Sequence, residues 1–234
     1  MTEPILAPLI ELVRIPVNQP DHLISRLFRV LSPDERARAD RYQFDQDRRR
    51  FIAARAAMRS ILGARLGLPP ERVPFRYGEN GKPALADSRA GLHFNLSDSG
   101  DWAVLALTTH GELGVDIEAL RPIPEITSIA ERFFSPPEEA WLRSLPLHEQ
   151  PWAFHRIWTC KEAYLKAIGA GLSLDTRTFV YDFTVRPARL LTIDGVPVDP
   201  AQWSLIELTP APAYAGAVCA PGQGWEIKWR DWAP

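Results

Sequence analysis

Cysteine is nearly missing from this 234-residue chain: only Cys160 and Cys219 occur, far apart in sequence. Two cysteines without a short pairing pattern exclude a disulfide framework and a cysteine-built zinc site. Lysine is scarce as well. Of 27 basic residues only Lys82, Lys161, Lys166 and Lys228 are lysines, and arginine stands wherever a generic positive charge suffices. A compact ammonium differs chemically from a planar guanidinium, so each surviving lysine asks for a specific reason. No apolar run approaches the ~20 residues that span a bilayer. Residues 1–17 are mildly apolar but lack a basic start and carry Glu11, Arg14 and three prolines. They read as strand-forming, not as a signal peptide. The expectation is a cytoplasmic protein with no membrane partner. A large charge of either sign is absent too, and the net charge of −2 argues against whole-protein attraction to nucleic acid. What is present, 46% hydrophobic and 24% charged residues, suits a globular protein with a sizeable core and no need of covalent staples.

The pattern alternates between helical and extended signals, which predicts an α+β fold. Ser32-Pro33-Asp34-Glu35 opens a helical stretch with a serine N-cap, proline at the first helical position and acids in the first turn. The apolar spacing of Phe51, Ile52, Ala56, Met58, Ile61, Leu62 and Leu66 carries that stretch to Gly67, where Pro69-Pro70 stop it. Strands are expected over 73–77, 92–96, 102–107 and 113–117. A turn at Gly78-Glu79-Asn80-Gly81 follows the first, and a polar turn, 97–101, separates the second and third. After Arg121-Pro122-Ile123-Pro124, helices are expected over 126–134, 137–145 and 151–168, then strands over 179–185, 190–193, 203–208 and 215–219. The stretches 55–75 and 161–180 share an order of helix, glycine stop, leucine-bearing loop and strand. This predicts a pseudo-twofold duplication, with halves 1–120 and 121–234 and a ligand site in the cleft between them.

Five elements carry candidate chemistry. In Gly114-Val115-Asp116-Ile117-Glu118, strand alternation sends Asp116 and Glu118 one way and Val115 and Ile117 into the core. Two hard carboxylates on one face suit Mg²⁺, or else mark a solvent-facing strand end. Glu162 and Lys166, four apart on a helix, either form a surface ion pair or set a carboxylate beside a phosphate-neutralising ammonium. Asn80-Gly81-Lys82-Pro83 is a turn that lets backbone approach a ligand while Lys82 offers charge. Phe94-Asn95-Leu96-Ser97-Asp98-Ser99-Gly100 is a strand entering a polar turn, with side-chain hydrogen bonds as its simplest content. Among Arg48, Arg49, Arg50, Arg55 and Arg59, most would form a solvated face, while Arg55 and Arg59 share one face and can present two forks to a phosphate.

Taken in order, the Arg-rich helix, Gly-Lys-Pro, FNLS-x-S-G, GVDIE and W-x-x-KEAYLK-x-x-G-x-GL resemble a phosphopantetheinyl transferase of the long, surfactin-synthetase-activating type. The resemblance runs from about Ser32 to Val180. It implies two similar α+β halves in one chain, working as a monomer. It also implies transfer of the 4'-phosphopantetheine arm of coenzyme A to a serine of an apo acyl- or peptidyl-carrier protein, releasing 3',5'-ADP. Asp116, Glu118 and Glu162 would hold Mg²⁺, Glu162 or a metal-bound water it orients would take the serine proton, and Lys166 would neutralise or protonate the leaving phosphate with Lys161 nearby. Lys82 and Pro83 would face the nucleotide, and Asn95, Leu96 and Ser97 would line its pocket. Asp98 stands where the family commonly carries a histidine that binds the 3'-phosphate, and Glu35 where relatives carry a basic residue. Arg50 or Arg55 is expected to compensate. Two alternatives share the same residues: another Mg²⁺-dependent phosphate-handling enzyme, and a non-catalytic module that binds coenzyme A or a carrier protein.

Overall fold

Strand β1 (Leu9–Pro16) buries Ile10, Leu12, Val13 and Ile15, so both of its faces meet protein, as in an interior strand. The computed structural model describes residues 7–87, 91–171 and 174–234; the opening residues 1–6 and Leu172 of the last motif lie outside them. After α1 (Asp21–Val30), α2 (Pro33–Ala39) and α3 (Asp45–Leu66) come the short pair β2 (Phe75–Tyr77) and β3 (Pro83–Leu85). The hairpin β4 (His93–Ser99) and β5 (Trp102–Thr108) completes this half, with β5 antiparallel to both β1 and β4. Helix α3 covers one face of that sheet. Ala53, Ala56 and Ala57 let it approach closely, and Ile52, Met58 and Leu62 fill the space between.

The expected single helical stretch from Ser32 to Leu66 is broken at residues 40–44 into α2 and α3. The cause is Glu35. Its carboxylate accepts from the Ser32 backbone N–H (3.1 Å), from Arg55 Nε (3.1 Å) and from Arg59 Nε, and it is only 2% exposed. A carboxylate that must reach arginines 20 and 24 residues later forces α2 to fold back across α3.

The other half stacks α6 (Gln150–Ile168) on a sheet of β10 (Trp203–Leu208), β11 (Tyr214–Pro221) and β6 (Gly114–Ala119). Helices α4 (Ile126–Phe133) and α5 (Pro136–Ser144), with strands β7 (Phe179–Asp182), β8 (Arg189–Ile193) and β9 (Val196–Pro197), close the aromatic core around Phe134, Phe154, Tyr164 and Phe179. Gly114 sets the distance between α6 and β6. A Cβ there would stand 2.1 Å from Ala163 O and 2.3 Å from Ala167 N, so only glycine lets helix and strand touch by backbone.

The final strand, β12 (Glu226–Asp231), was not anticipated. It returns to the first half and pairs in parallel with β1, where Arg14 grips Asp231 with two hydrogen bonds of 2.8 and 3.1 Å. The last strand thus departs from a division of the chain at residue 120. Among the described residues no helix is long and apolar enough to cross a membrane. Glu35→Ala is expected to leave two buried guanidiniums without their carboxylate and to lower unfolding free energy by about 3–5 kcal/mol, read by urea denaturation.

Candidate active site

Two edge strands from different sheets, β4 and β6, lie side by side, and side chains join them. Asn95 Oδ1 accepts from Val115 N (2.8 Å), Ser97 Oγ from Ile117 N (3.3 Å) and Ser99 Oγ from Ala119 N (3.1 Å). Each pair is 20 residues apart in sequence, so the strands run in the same direction. The period-two row Asn95, Ser97, Ser99 therefore replaces a backbone ladder along the free edge of β6. This corrects two expectations. Residues 97–99 continue the strand rather than turn, because their hydroxyls are used across it. Asn95 and Ser97 spend their side chains on the seam, while Leu96 between them lines a polar hollow.

The same hydroxyls hold the carboxylates. Ser97 Oγ donates to Asp116 Oδ1 (2.8 Å) and Ser99 Oγ to Glu118 Oε2 (2.7 Å). From α6, Lys166 Nζ donates to Asp116 Oδ1 (2.6 Å) and to Ser97 Oγ (3.1 Å). Lys166 is thus paired with Asp116 and not with Glu162, one turn away on its own helix. Asp116 is 5% exposed, and its second oxygen, Oδ2, has no hydrogen-bond partner. Glu162 makes no hydrogen bond or ion pair among the described residues. Burial pushes the carboxyls of Glu118 and Glu162 above the usual range, and the charge on Asp116 raises both further. As they stand, no three His, Cys, Asp or Glu side chains among the described residues close around a point as metal ligands do. The donor set nevertheless fits a hard cation: oxygens only, one of them buried and unsatisfied, with two glutamate carboxyls crowded beside the charge of Asp116.

Two hollows flank this cluster. One, of about 280 Å³, is polar, with Arg50, Leu96, Asp98 and Ser99 in its wall. The other, of about 440 Å³, runs from Glu118 between Ile123, Ile129, Phe154 and Trp158 and is largely apolar. Water reaches the Asp98 side chain, yet protein rings it in the concave wall. That crowding raises its carboxyl against the pull of Lys166 and Arg50. Arg50 is held only loosely, at 3.9 Å from Asp47 and 3.7 Å from Asp101, and its Nε is buried without a partner.

Other expected residues are engaged elsewhere. Lys161 is 2% exposed and directs its ammonium to Glu138 (2.8 Å), Thr176 O (2.7 Å) and Phe179 O (2.8 Å). Its three protons are used inside the core, so the structure does not place it beside Lys166. It lies five residues earlier and thus on another face of α6. Arg55 borders the polar hollow, but its fork is committed to Glu35 and to Tyr77 Oη (2.9 Å). Lys82, with Pro83 beside it at the start of β3, donates to Glu112 (2.7 Å) and Leu113 O (3.0 Å), tying the Gly-Lys-Pro turn to the loop that leads into β6. Sequence reasoning missed Ser99 as a holder of Glu118; its signal was the alternation with Asn95 and Ser97.

Residues 112–219 match the model of the 4'-phosphopantetheinyl transferase superfamily, and residues 19–110 match that of a 4'-phosphopantetheinyl transferase N-terminal region. The 4'-phosphopantetheinyl transferase HetI of Nostoc sp. is 43% identical over 96% of this chain and 92% of its own. The 4'-phosphopantetheinyl transferases psf-1 of Bacillus pumilus and Sfp of Bacillus subtilis are 36% and 32% identical, over 84% and 70% of this chain and 81% and 70% of their own. The chain belongs to the 4'-phosphopantetheinyl transferase superfamily and is a transferase of that class.

The raised carboxyl of Glu162 has a measurable consequence. The folded state holds this proton more tightly than the unfolded chain, so stability from this group is full below the ordinary glutamate range and is lost as pH rises through the raised value. In EDTA, Glu162→Gln is expected to melt above the wild type at pH 8, with the difference shrinking steadily towards pH 4. Differential scanning calorimetry checks it.

Proposed function

We propose that this protein moves the 4'-phosphopantetheine arm of coenzyme A onto a serine of an apo acyl- or peptidyl-carrier protein, with Mg²⁺, and releases 3',5'-ADP. The observation that carries the reading is the convergence on one space of Asp116 with an unsatisfied oxygen, the unpartnered Glu162, Glu118 and the Lys166 ammonium. Asp116, Glu118 and Glu162 would hold the Mg²⁺, which when bound neutralises pyrophosphate charge and draws electron density from the reacting phosphorus. Glu162, with no hydrogen bond to give up, accepts the serine proton. The serine oxygen forms a bond to the β-phosphorus while the bond from that phosphorus to the oxygen of 3',5'-ADP breaks. Lys166 gives two hydrogen bonds within the protein and keeps a third N–H for the departing phosphate. Positioning and charge neutralisation, more than covalent help, are what phosphoryl-type transfer needs.

In this reading the nucleotide occupies the polar hollow, with Arg50 supplying the charge that the acid at Asp98 does not. The apolar trough beside Glu118 receives the arm and the incoming serine. Both halves of the site lie in one chain, so no second copy is needed and a monomer is proposed, while consumption of coenzyme A suits the cytoplasm. We also propose that the halves are related by duplication. In support, α3 and α6 both end on a left-handed glycine, Gly67 (φ 66°) and Gly169 (φ 70°), and a 3-10 turn, at Pro70–Arg72 and at Thr176–Thr178, leads into a short strand after each.

The test is intact mass of an apo carrier protein incubated with this enzyme, coenzyme A and Mg²⁺. A gain of one phosphopantetheine is expected, abolished by EDTA and lowered at least about 100-fold in rate by Glu162→Gln or Asp116→Ala. Binding of coenzyme A with no transfer to any carrier type would contradict the reading.

A further inference from the structure

Asp116 has two donors on its bound oxygen, Ser97 and Lys166, whereas Glu118 has one. Among the described residues only Ser99 donates a hydrogen bond to Glu118. A serine hydroxyl carries a single proton. With its oxygen accepting from Ala119 N, that proton is directed to Glu118 Oε2. The backbone of Ser99 is fixed just as firmly. Its carbonyl accepts from Tyr214 Oη (3.1 Å), and the same phenol oxygen accepts from Asp101 N (2.9 Å) across the β4–β5 turn. Gly100 between them has φ 58°, and a Cβ there would lie 2.4 Å from Tyr214 Oη. The turn is therefore shaped around the tyrosine. Ser99 also stands in the wall of the polar hollow while Glu118 stands in the wall of the apolar trough, so their hydrogen bond forms the divide between the two.

We propose that Ser99 is a positioning residue for Glu118: it ties down Oε2, fixes the carboxylate at the boundary of the two hollows, and leaves Oε1 free for a divalent cation. The inference rests on the proposed cation-holding role of Glu118. Ser99 acts on the cation through the carboxylate, as outer-shell partners of metal-ligating groups do. Asn95 supplies an internal control. It makes the same kind of bond across the seam, to Val115 N, but no bond to a carboxylate.

The experiment is a titration of metal-free protein with MgCl₂, followed by thermal midpoint with no coenzyme A present. The wild type should show a saturable rise. Ser99→Ala should need about tenfold or more Mg²⁺ for the same fractional rise, while Ser99→Thr, which keeps the hydroxyl, stays within about threefold of wild type. Asn95→Ala should melt lower without Mg²⁺ yet respond at wild-type concentrations. An unchanged Mg²⁺ response in Ser99→Ala overturns the proposal. So does an equal weakening in Asn95→Ala, which would make the effect one of stability alone. If Asn95→Ala does not fold, the contrast between Ala and Thr at position 99 decides. A wild type with no Mg²⁺ response removes the cation-holding reading itself and this inference with it, an outcome distinct from either of the others.

Discussion

Three backbone amides on the free edge of β6 donate to side chains of β4, and the geometry of the site follows from that seam. A buried amide without an acceptor costs about 1–3 kcal/mol, so an edge strand inside a protein must be met by something. Here it is met by Asn95, Ser97 and Ser99 at every second position, which fixes both the register and the direction of β6 against β4. Because Ser97 and Ser99 donate hydrogen bonds to Asp116 and Glu118, the residues that join the two sheets are also the ones that aim the carboxylates. Gly114 then admits α6 to backbone contact, which brings Glu162 and Lys166 over the same strand.

Charged groups in this molecule divide by what surrounds them. Glu35 with Arg55 and Arg59, Glu138 with Lys161, and Glu207 with Arg156 are buried or nearly buried ion groups whose other hydrogen bonds go to backbone or, for Arg55, to Tyr77 Oη. Such sets hold helices and loops in place and have no capacity left for a ligand. Asp116, Glu162 and Arg50 are different, since each retains an oxygen or nitrogen that no group among the described residues satisfies. Unfilled capacity beside a concave surface separates the site from the scaffold better than charge or residue type does.

That distinction explains what the sequence made legible. Alternation in GVDIE put Val115 and Ile117 inside and the acids on the other face, and helical spacing put Glu162 and Lys166 together, because both are local geometric rules. The order of motifs carried the class of enzyme. Lys161 was misjudged because its partner, Glu138, lies on a different helix and no local rule reveals it; the scarcity of lysine marked a core ion pair as readily as a phosphate contact. Arg55 was misjudged in the same way through Glu35. The cluster Ser97-Asp98-Ser99 has the composition of a turn, yet the turn is only Gly100-Asp101, and Ser99 still pairs with Trp102. Strand β12 escaped notice because its pairing with β1 spans nearly the whole chain.

The most direct test of the seam is residue-resolved amide hydrogen exchange by NMR on the wild-type protein. The account predicts that the amides of Val115, Ile117 and Ala119 exchange as slowly as those of Asp116 and Glu118, although they face a strand edge. It also predicts that Ser97→Ala speeds exchange at Ile117 most. Fast, edge-like exchange at all three amides in the wild type would contradict it, and with it the claim that β4 side chains hold the carboxylates in place.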